Sequence, residues 1–309
     1  MTVTIQQLID TLHIKVQHGC DNLNRTVSTS ELSRPGLELS GYFDYYSTER
    51  IQVFGRTEIA FLQQLPDEKA KDVIKQLCHP EIPAFIMARN LPAPQLLVDR
   101  AKEVGIPILQ SASKTTSVIS NLTNYLETQL AVRESIHGVF IDVYGVGVLI
   151  TGDSGVGKSE TALDLIKNGH RLVADDRIDF YQIDELTLVG EAPAILKNLL
   201  EVRGIGIVDV MTIFGASAVK ETKKLEMIVH LEMWDGQKIF DRLGNNQETV
   251  RIIDVDVPKF TIPVKLGRNL ANIVEVATMN YRAKNMGFDA TQAFQEKLNQ
   301  LIEINSGKE

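Results

Sequence analysis

A chain of 309 residues, at roughly 150 residues per domain, is long enough for two domains that each bury a core. Hydrophobic residues at 44% and charged residues at 23% exclude wholesale disorder, collagen-like repeats and low-complexity architectures. With 40 acidic against 32 basic side chains and a net charge of −8, the protein has no general attraction for phosphate backbones or anionic bilayers, so neither nucleic acid nor membrane is an expected partner.

The N-terminus, MTVTIQQLIDTLHIKVQHG, has no basic stretch followed by an apolar run, and nowhere do about 18 uninterrupted apolar residues occur. Helical and extended segments then alternate. Ile5–Leu12 is helical, Arg50–Phe54 extended, Thr57–Leu65 and Asp67–Leu77 helical, Ala84–Met87 extended, Pro94–Val104 helical and Ile106–Leu109 extended. Such alternation predicts an α/β layer structure. Val118, Ile119, Leu122, Tyr125, Leu126 and Leu130 recur at spacings of three and four, which predicts one long helix and places a domain boundary near residue 130, giving domains 1–130 and 131–309. Two cysteines, Cys20 and Cys78, lack CxxC spacing and cannot form a disulfide framework; both are expected to stay free, in a cytoplasmic protein.

From His137 the pattern changes. Two β-rich runs, Val139–Val143 and Gly147–Ile150, precede Gly152-Asp153-Ser154-Gly155-Val156-Gly157-Lys158-Ser159, which matches G-x-x-x-x-G-K-[ST], and a helical stripe follows over Glu160–Asn168. The glycines let successive backbone N–H groups ring a polyphosphate, and the helix N-terminus adds its partial positive charge. Lys158 supplies a full charge to the outer phosphates, and the Ser159 hydroxyl suits a hard cation such as Mg²⁺. A chance glycine-rich turn is the competing reading, disfavoured by the flanking strand and helix.

Beyond this helix, Arg171–Asp176 reads as a strand ending in two carboxylates, Asp175 and Asp176. Acidic groups at such a strand end beside a phosphate loop are where a metal ligand or general base belongs; turn-capping carboxylates are the alternative. No N-K-x-D motif occurs, which disfavours a GTPase. The residues by themselves leave open a protein kinase, a kinase acting on a free metabolite, and a nucleotide-sensing module without catalysis. At the C-terminus, Phe294, Leu298, Leu301 and Ile302 mark an amphipathic helix with a polar tail, Asn305–Glu309.

The blocks HGVFIDVYGVGVLITGDSGVGKSETALDLIKNGHRLVADD, LLEVRGIGIVDVMTIFG and TIPVKLGRN, with SRPGLELSGYFDYY nearer the N-terminus, closely resemble the bacterial HPr kinase/phosphorylase family. The resemblance implies an N-terminal α/β domain for assembly or regulation, and a C-terminal phosphate-loop kinase domain similar to phosphoenolpyruvate carboxykinase. It implies ATP-dependent phosphorylation of a serine on the phosphocarrier protein HPr, the reverse phosphorolysis by inorganic phosphate giving pyrophosphate, a homohexamer, and a place in carbon catabolite control. Whether pyrophosphate also serves as donor stays open.

The same resemblance distributes roles. Asp176 exchanges the serine proton in both directions, Asp175 assists the metal or orients its neighbour, and His137 is the active-site histidine. Glu201 joins Ser159 as a Mg²⁺ ligand; the less favoured alternative on sequence alone is the last acidic residue of a helix Ala194–Val202 stopped by Gly204. Arg242 stabilises the transferring phosphoryl group, and Lys265 and Arg268 form a basic loop for phosphorolysis. Trp234, Cys20 and Cys78 receive packing roles only.

Overall fold

A computed structural model describes residues 2–234, 248–265 and 267–306. Arg242 lies outside the described residues. The chain forms two compact units, Met1–Ala131 and Val132–Glu309.

In the N-terminal unit a five-stranded sheet runs in the order Lys15–His18, Ile108–Gln110, Phe85–Met87, Ile51–Phe54, Leu32–Ser33, parallel apart from the first pair. Because side chains alternate across a strand, Ile51, Val53, Ile86 and Leu109 join one core with Val118, Leu122 and Leu126 of the helix Thr115–Leu130. Phe54, Phe85, Met87 and Ile108 face the opposite core with Leu62, Ile74 and Leu97. Helices thus cover both faces, as the alternation predicts. Cys20 and Cys78 are both free thiols, and burial pushes the Cys78 thiol up to about 12.

The C-terminal unit is built on β1 (Arg133–Val143), β2 (Val146–Gly152), α1 (Lys158–Lys167), β3 (Arg171–Asp184), β4 (Thr187–Glu191), β5 (Leu199–Val202), β6 (Gly206–Asp209), β7 (Thr222–Lys224), β8 (Met227–Met233), β9 (Glu248–Ile252), β10 (Val255–Val264), α2 (Leu270–Asn285) and α3 (Ala290–Ser306). Among the described residues one sheet has the order β7-β4-β3-β1-β2-β8-β10-β9, with β2, β8 and β10 parallel and the remaining pairs antiparallel. Val139, Ile141, Val148 and Ile150 pack on one face against Ala162, Leu165 and Ile166 of α1 and Val274 of α2. Phe140, Leu149, Ile178 and Phe180 fill the other face, where the Phe140 and Phe180 rings meet edge to face at 5.3 Å. The ribbon β5-β6 stands apart as its own two-stranded pairing.

Two local expectations fail. The strand from Arg171 does not stop at the paired carboxylates: β3 runs on to Asp184, because residues 175–181 continue the ladder with β1. Ala194–Val202 is no helix, only a 3₁₀ turn Ala194–Leu196 followed by β5. Asn198 takes a left-handed conformation (φ 65°), and Leu199–Val202 pairs with Gly206–Asp209 across a tight turn. That non-local pairing overrides local helical preference. The predicted C-terminal helix exists as α3, with Phe294, Leu298, Leu301 and Ile302 all exposed.

Gly147 permits the closest approach in the sheet, since a Cβ there would lie 1.9 Å from the Lys224 carbonyl oxygen, a backbone atom that cannot swing away. Gly147→Ala is therefore expected to destabilise the C-terminal unit by about 1–3 kcal/mol or more, read as a lowered urea midpoint. An unchanged midpoint would show that the backbone at Lys224 gives way freely.

Candidate active site

The phosphate loop links β2 to α1. Gly152, Gly155 and Gly157 hold φ values of 142°, 87° and 102°, and a Cβ on Gly152 would come within 2.3 Å of the Leu231 carbonyl oxygen on β8. Gly157 caps α1 without any side-chain hydrogen bond, so the first-turn amides stay open to an anion. Lys158 is 9% exposed, and its Nζ donates to the carbonyl oxygens of Gly152 at 2.8 Å and Asp153 at 3.1 Å. Those neutral acceptors order the ammonium and leave its charge uncancelled.

Residue alternation on β3 separates the two carboxylates. Asp175 is 5% exposed; its Oδ1 accepts from the Ser159 hydroxyl at 3.3 Å and its Oδ2 from the Glu201 N–H at 2.9 Å. Burial raises its pKa, opposed by hydrogen bonds from the amides of Glu201 and Asp176 and from Ser159. Asp176, the next residue, adopts φ 68° and opens to solvent. Its Oδ1 lies 3.1 Å from Nδ1 of His137, both side chains being about three-fifths exposed. Register explains the meeting: Asp176 pairs with Gly138 and Arg177 with His137 across β3 and β1. The two carboxylates thus sit within a strand rather than at its end, the left-handed turn at Asp176 aiming the second one outward.

One cleft collects His137, Ser154, Lys158, Ser159, Asp175, Asp176, Glu201 and Arg203. Arg203 is the member that sequence reasoning missed. Its Nη2 donates to the Ser154 hydroxyl at 3.2 Å, and its guanidinium lies so close over the loop that a Cβ on Gly155 would meet Nη1 at 2.8 Å. The signal available was proximity alone: Arg203 follows Glu201 by two residues, in the turn that closes β5 on β6. Lys265 and Arg268 do not line this cleft. Lys265 stands over the Trp234 ring, and Arg268 borders a neighbouring depression with Gly157, Glu160 and Asn269.

Two sequence-family models together match nearly the whole chain. The family described as HPr Serine kinase N terminus matches residues 3–126, and HPr Serine kinase C-terminal domain matches residues 128–298. The chain belongs to the HPr serine kinase family. It is 55% identical over 307 residues to the HPr kinase/phosphorylase of Levilactobacillus brevis, and equally so to that of Enterococcus faecalis, with 99% of each chain covered. The HPr kinase/phosphorylase of Listeria monocytogenes is 53% identical over 305 residues, covering 99% of this chain and 98% of the relative. Among solved structures, the Hpr(Ser) kinase/phosphatase from Coxiella burnetii is 34% identical and covers 50% of this chain and 99% of its own, with a TM-score of 0.46. Among the described residues, no helix is long and apolar enough to cross a membrane.

Asp175 holds the phosphate-loop helix and β5 together, so Asp175→Ala is expected to leave the Glu201 N–H unpaired and lower stability by about 1–3 kcal/mol in urea unfolding. Asp175→Asn, which keeps one acceptor, recovers part of the loss. A midpoint unchanged in Asp175→Ala would mean the two hydrogen bonds contribute nothing to the fold.

Proposed function

We propose that this cleft binds the triphosphate of ATP on the loop 152–159 and performs both phosphoryl transfers through Asp176. The protein is a serine kinase and phosphorylase acting on HPr. The observation that supports the mechanism best is the opening of an exposed carboxylate, paired with a histidine, into the same cleft as the phosphate-loop lysine.

In the kinase direction the serine hydroxyl oxygen attacks the γ-phosphorus, its proton passes to Asp176, and the bond from that phosphorus to the bridging oxygen breaks to release ADP. His137 orients the Asp176 carboxylate. Lys158, the open amides of α1 and Arg203 counter the charge on the phosphates, and Arg242 is assigned to the transferring phosphoryl group. In the phosphorylase direction an oxygen of inorganic phosphate attacks the phosphorus of phosphoserine. The serine oxygen leaves with the proton from Asp176, and the new P–O–P bond makes pyrophosphate. Both reactions make or break the same serine O–P bond, so one carboxylate beside that oxygen takes the proton in one and returns it in the other.

The Ser159 hydroxyl and the carboxylates of Asp175 and Glu201 offer hard oxygen donors on one wall of the cleft, and no three His, Cys, Asp or Glu among the described residues converge into a self-sufficient metal cage. That donor set fits Mg²⁺, which keeps waters and substrate phosphates among its ligands, and Ser159 and Glu201 are the residues assigned to hold it. Bound there, it supplies electrophilic neutralisation of the phosphate oxygens. Lys265 and Arg268 are assigned to hold the attacking inorganic phosphate. A homohexamer in the cytoplasm, with the N-terminal unit serving assembly or regulation, completes the reading.

Transfer from γ-labelled ATP to purified HPr tests it. Asp176→Asn should lower both rates by about 10²–10⁴ while ATP still binds, since the amide keeps shape and cannot accept the proton. Lys158→Ala should instead abolish most nucleotide binding. Near-normal transfer in Asp176→Asn would assign the base to another group, and ATP affinity within about threefold of wild type in Lys158→Ala would remove the phosphate-loop assignment.

A further inference from the structure

We propose that Trp234 is a positioning residue for Lys265, holding its ammonium by a cation–π contact at the phosphate-directed edge of the site. The strands β8 and β10 are parallel neighbours with Met233 opposite Val264, and the Trp234 N–H donates to the Val264 carbonyl oxygen at 3.1 Å. Trp234 and Lys265 therefore step off the carboxyl ends of adjacent strands together. On its other side β8 pairs Leu231 with Gly152, where β2 enters the phosphate loop, so both residues stand on the sheet edge that delivers that loop. The Lys265 Nζ sits 3.0 Å from the centroid of the indole ring.

The choice of an aromatic anchor has a chemical consequence. A carboxylate partner would cancel the lysine charge and compete with an incoming anion. An indole face attracts the ammonium through its quadrupole, leaves the full charge in place, and leaves the N–H groups directed away from the ring free to donate. Lysine carries the largest class of side-chain rotamer entropy, so ordering it before phosphate arrives lowers the cost of capture. Arg268 lies beyond the glycine of the same loop, with its backbone N–H on the Lys265 carbonyl oxygen at 3.3 Å, so fixing Lys265 also fixes the start of the loop that carries the second cation.

This inference rests on the assignment of Lys265 to inorganic phosphate, and the variants separate the two. Trp234→Leu is expected to raise the KM for inorganic phosphate in phosphorolysis about three- to thirtyfold, with kcat and the KM for ATP in the kinase direction moving less than twofold. Trp234→Phe, which keeps a π face, should recover most of the loss. The double variant Trp234→Leu with Lys265→Ala should be no worse than Lys265→Ala alone, because the two act through one contact. If Lys265→Ala raises the phosphate KM and Trp234→Leu does not, the positioning role is wrong while the assignment of Lys265 stands. If Lys265→Ala leaves the phosphate KM unchanged, the assignment itself fails and this inference fails with it. Equal losses in every constant for Trp234→Leu would mean general structural support and would overturn the proposal. Trp234 is the single tryptophan of the chain, so a readout remains should Trp234→Leu fold poorly. Inorganic phosphate should shift wild-type emission with a midpoint near its KM, and Lys265→Met should abolish the shift; a shift that persists in Lys265→Met contradicts the contact.

Discussion

The buried carboxylate of Asp175 sets the geometry of the C-terminal unit's cleft. A charge at 5% exposure is tolerable only with donors supplied to it, and the chain supplies them from two separate segments, the Ser159 hydroxyl on α1 and the Glu201 N–H on β5. Satisfying one carboxylate thereby fixes the distance between the phosphate loop and the β5-β6 ribbon. With the ribbon come Glu201 and Arg203, and with β3 comes Asp176, presented outward by the alternation that turns Asp175 inward. The residues proposed to hold the metal, to neutralise the phosphates and to carry the proton are set in place around a single desolvated group.

The same arrangement accounts for reversibility. Forward transfer needs a proton acceptor near the serine and cations near the triphosphate; reverse transfer needs a proton donor at the same atom and a cationic place for inorganic phosphate. On the proposed reading, Asp176 beside His137 serves both proton steps without relocation, since both reactions make or break the same bond between the serine oxygen and phosphorus. What differs is the nucleophile, and the basic residues assigned to it stand outside the main cleft, at the carboxyl edge of β10 and the start of α2. If the proposed assignment holds, that division lets the phosphate requirement be tuned through Lys265 and Arg268 while the phosphate loop stays unchanged.

How much of this was legible in the sequence follows from how local each feature is. The phosphate loop is a contiguous eight-residue pattern whose glycines answer to backbone geometry, so Gly152, Gly157, Lys158 and Ser159 could be read directly, with the helix behind them. Asp175 and Asp176 were legible as a pair, but their setting was not: the ladders to β1 and then β4 carry β3 on to Asp184, and only long-range register brings His137 beside Asp176. The segment around Glu201 misled because a turn of helix and a short strand look alike locally, and the hairpin closing on Gly206–Asp209 decides between them. Arg203 escaped notice because it lies in the turn after β5, and only the hairpin's folding back brings it over the phosphate loop. The Trp234 contact with Lys265 joins residues 31 apart in sequence on neighbouring strands, and no local pattern announces it.

The central claim is that one cleft carries out both reactions, and it is tested most directly by following phosphorolysis of serine-phosphorylated HPr in the presence of a non-hydrolysable ATP analogue. The account predicts inhibition that excess inorganic phosphate relieves, because the analogue's β-phosphate would occupy the position from which inorganic phosphate attacks. Inhibition that no concentration of inorganic phosphate relieves, or phosphorolysis unaffected by a saturating analogue, would place the two reactions at separate sites and contradict it.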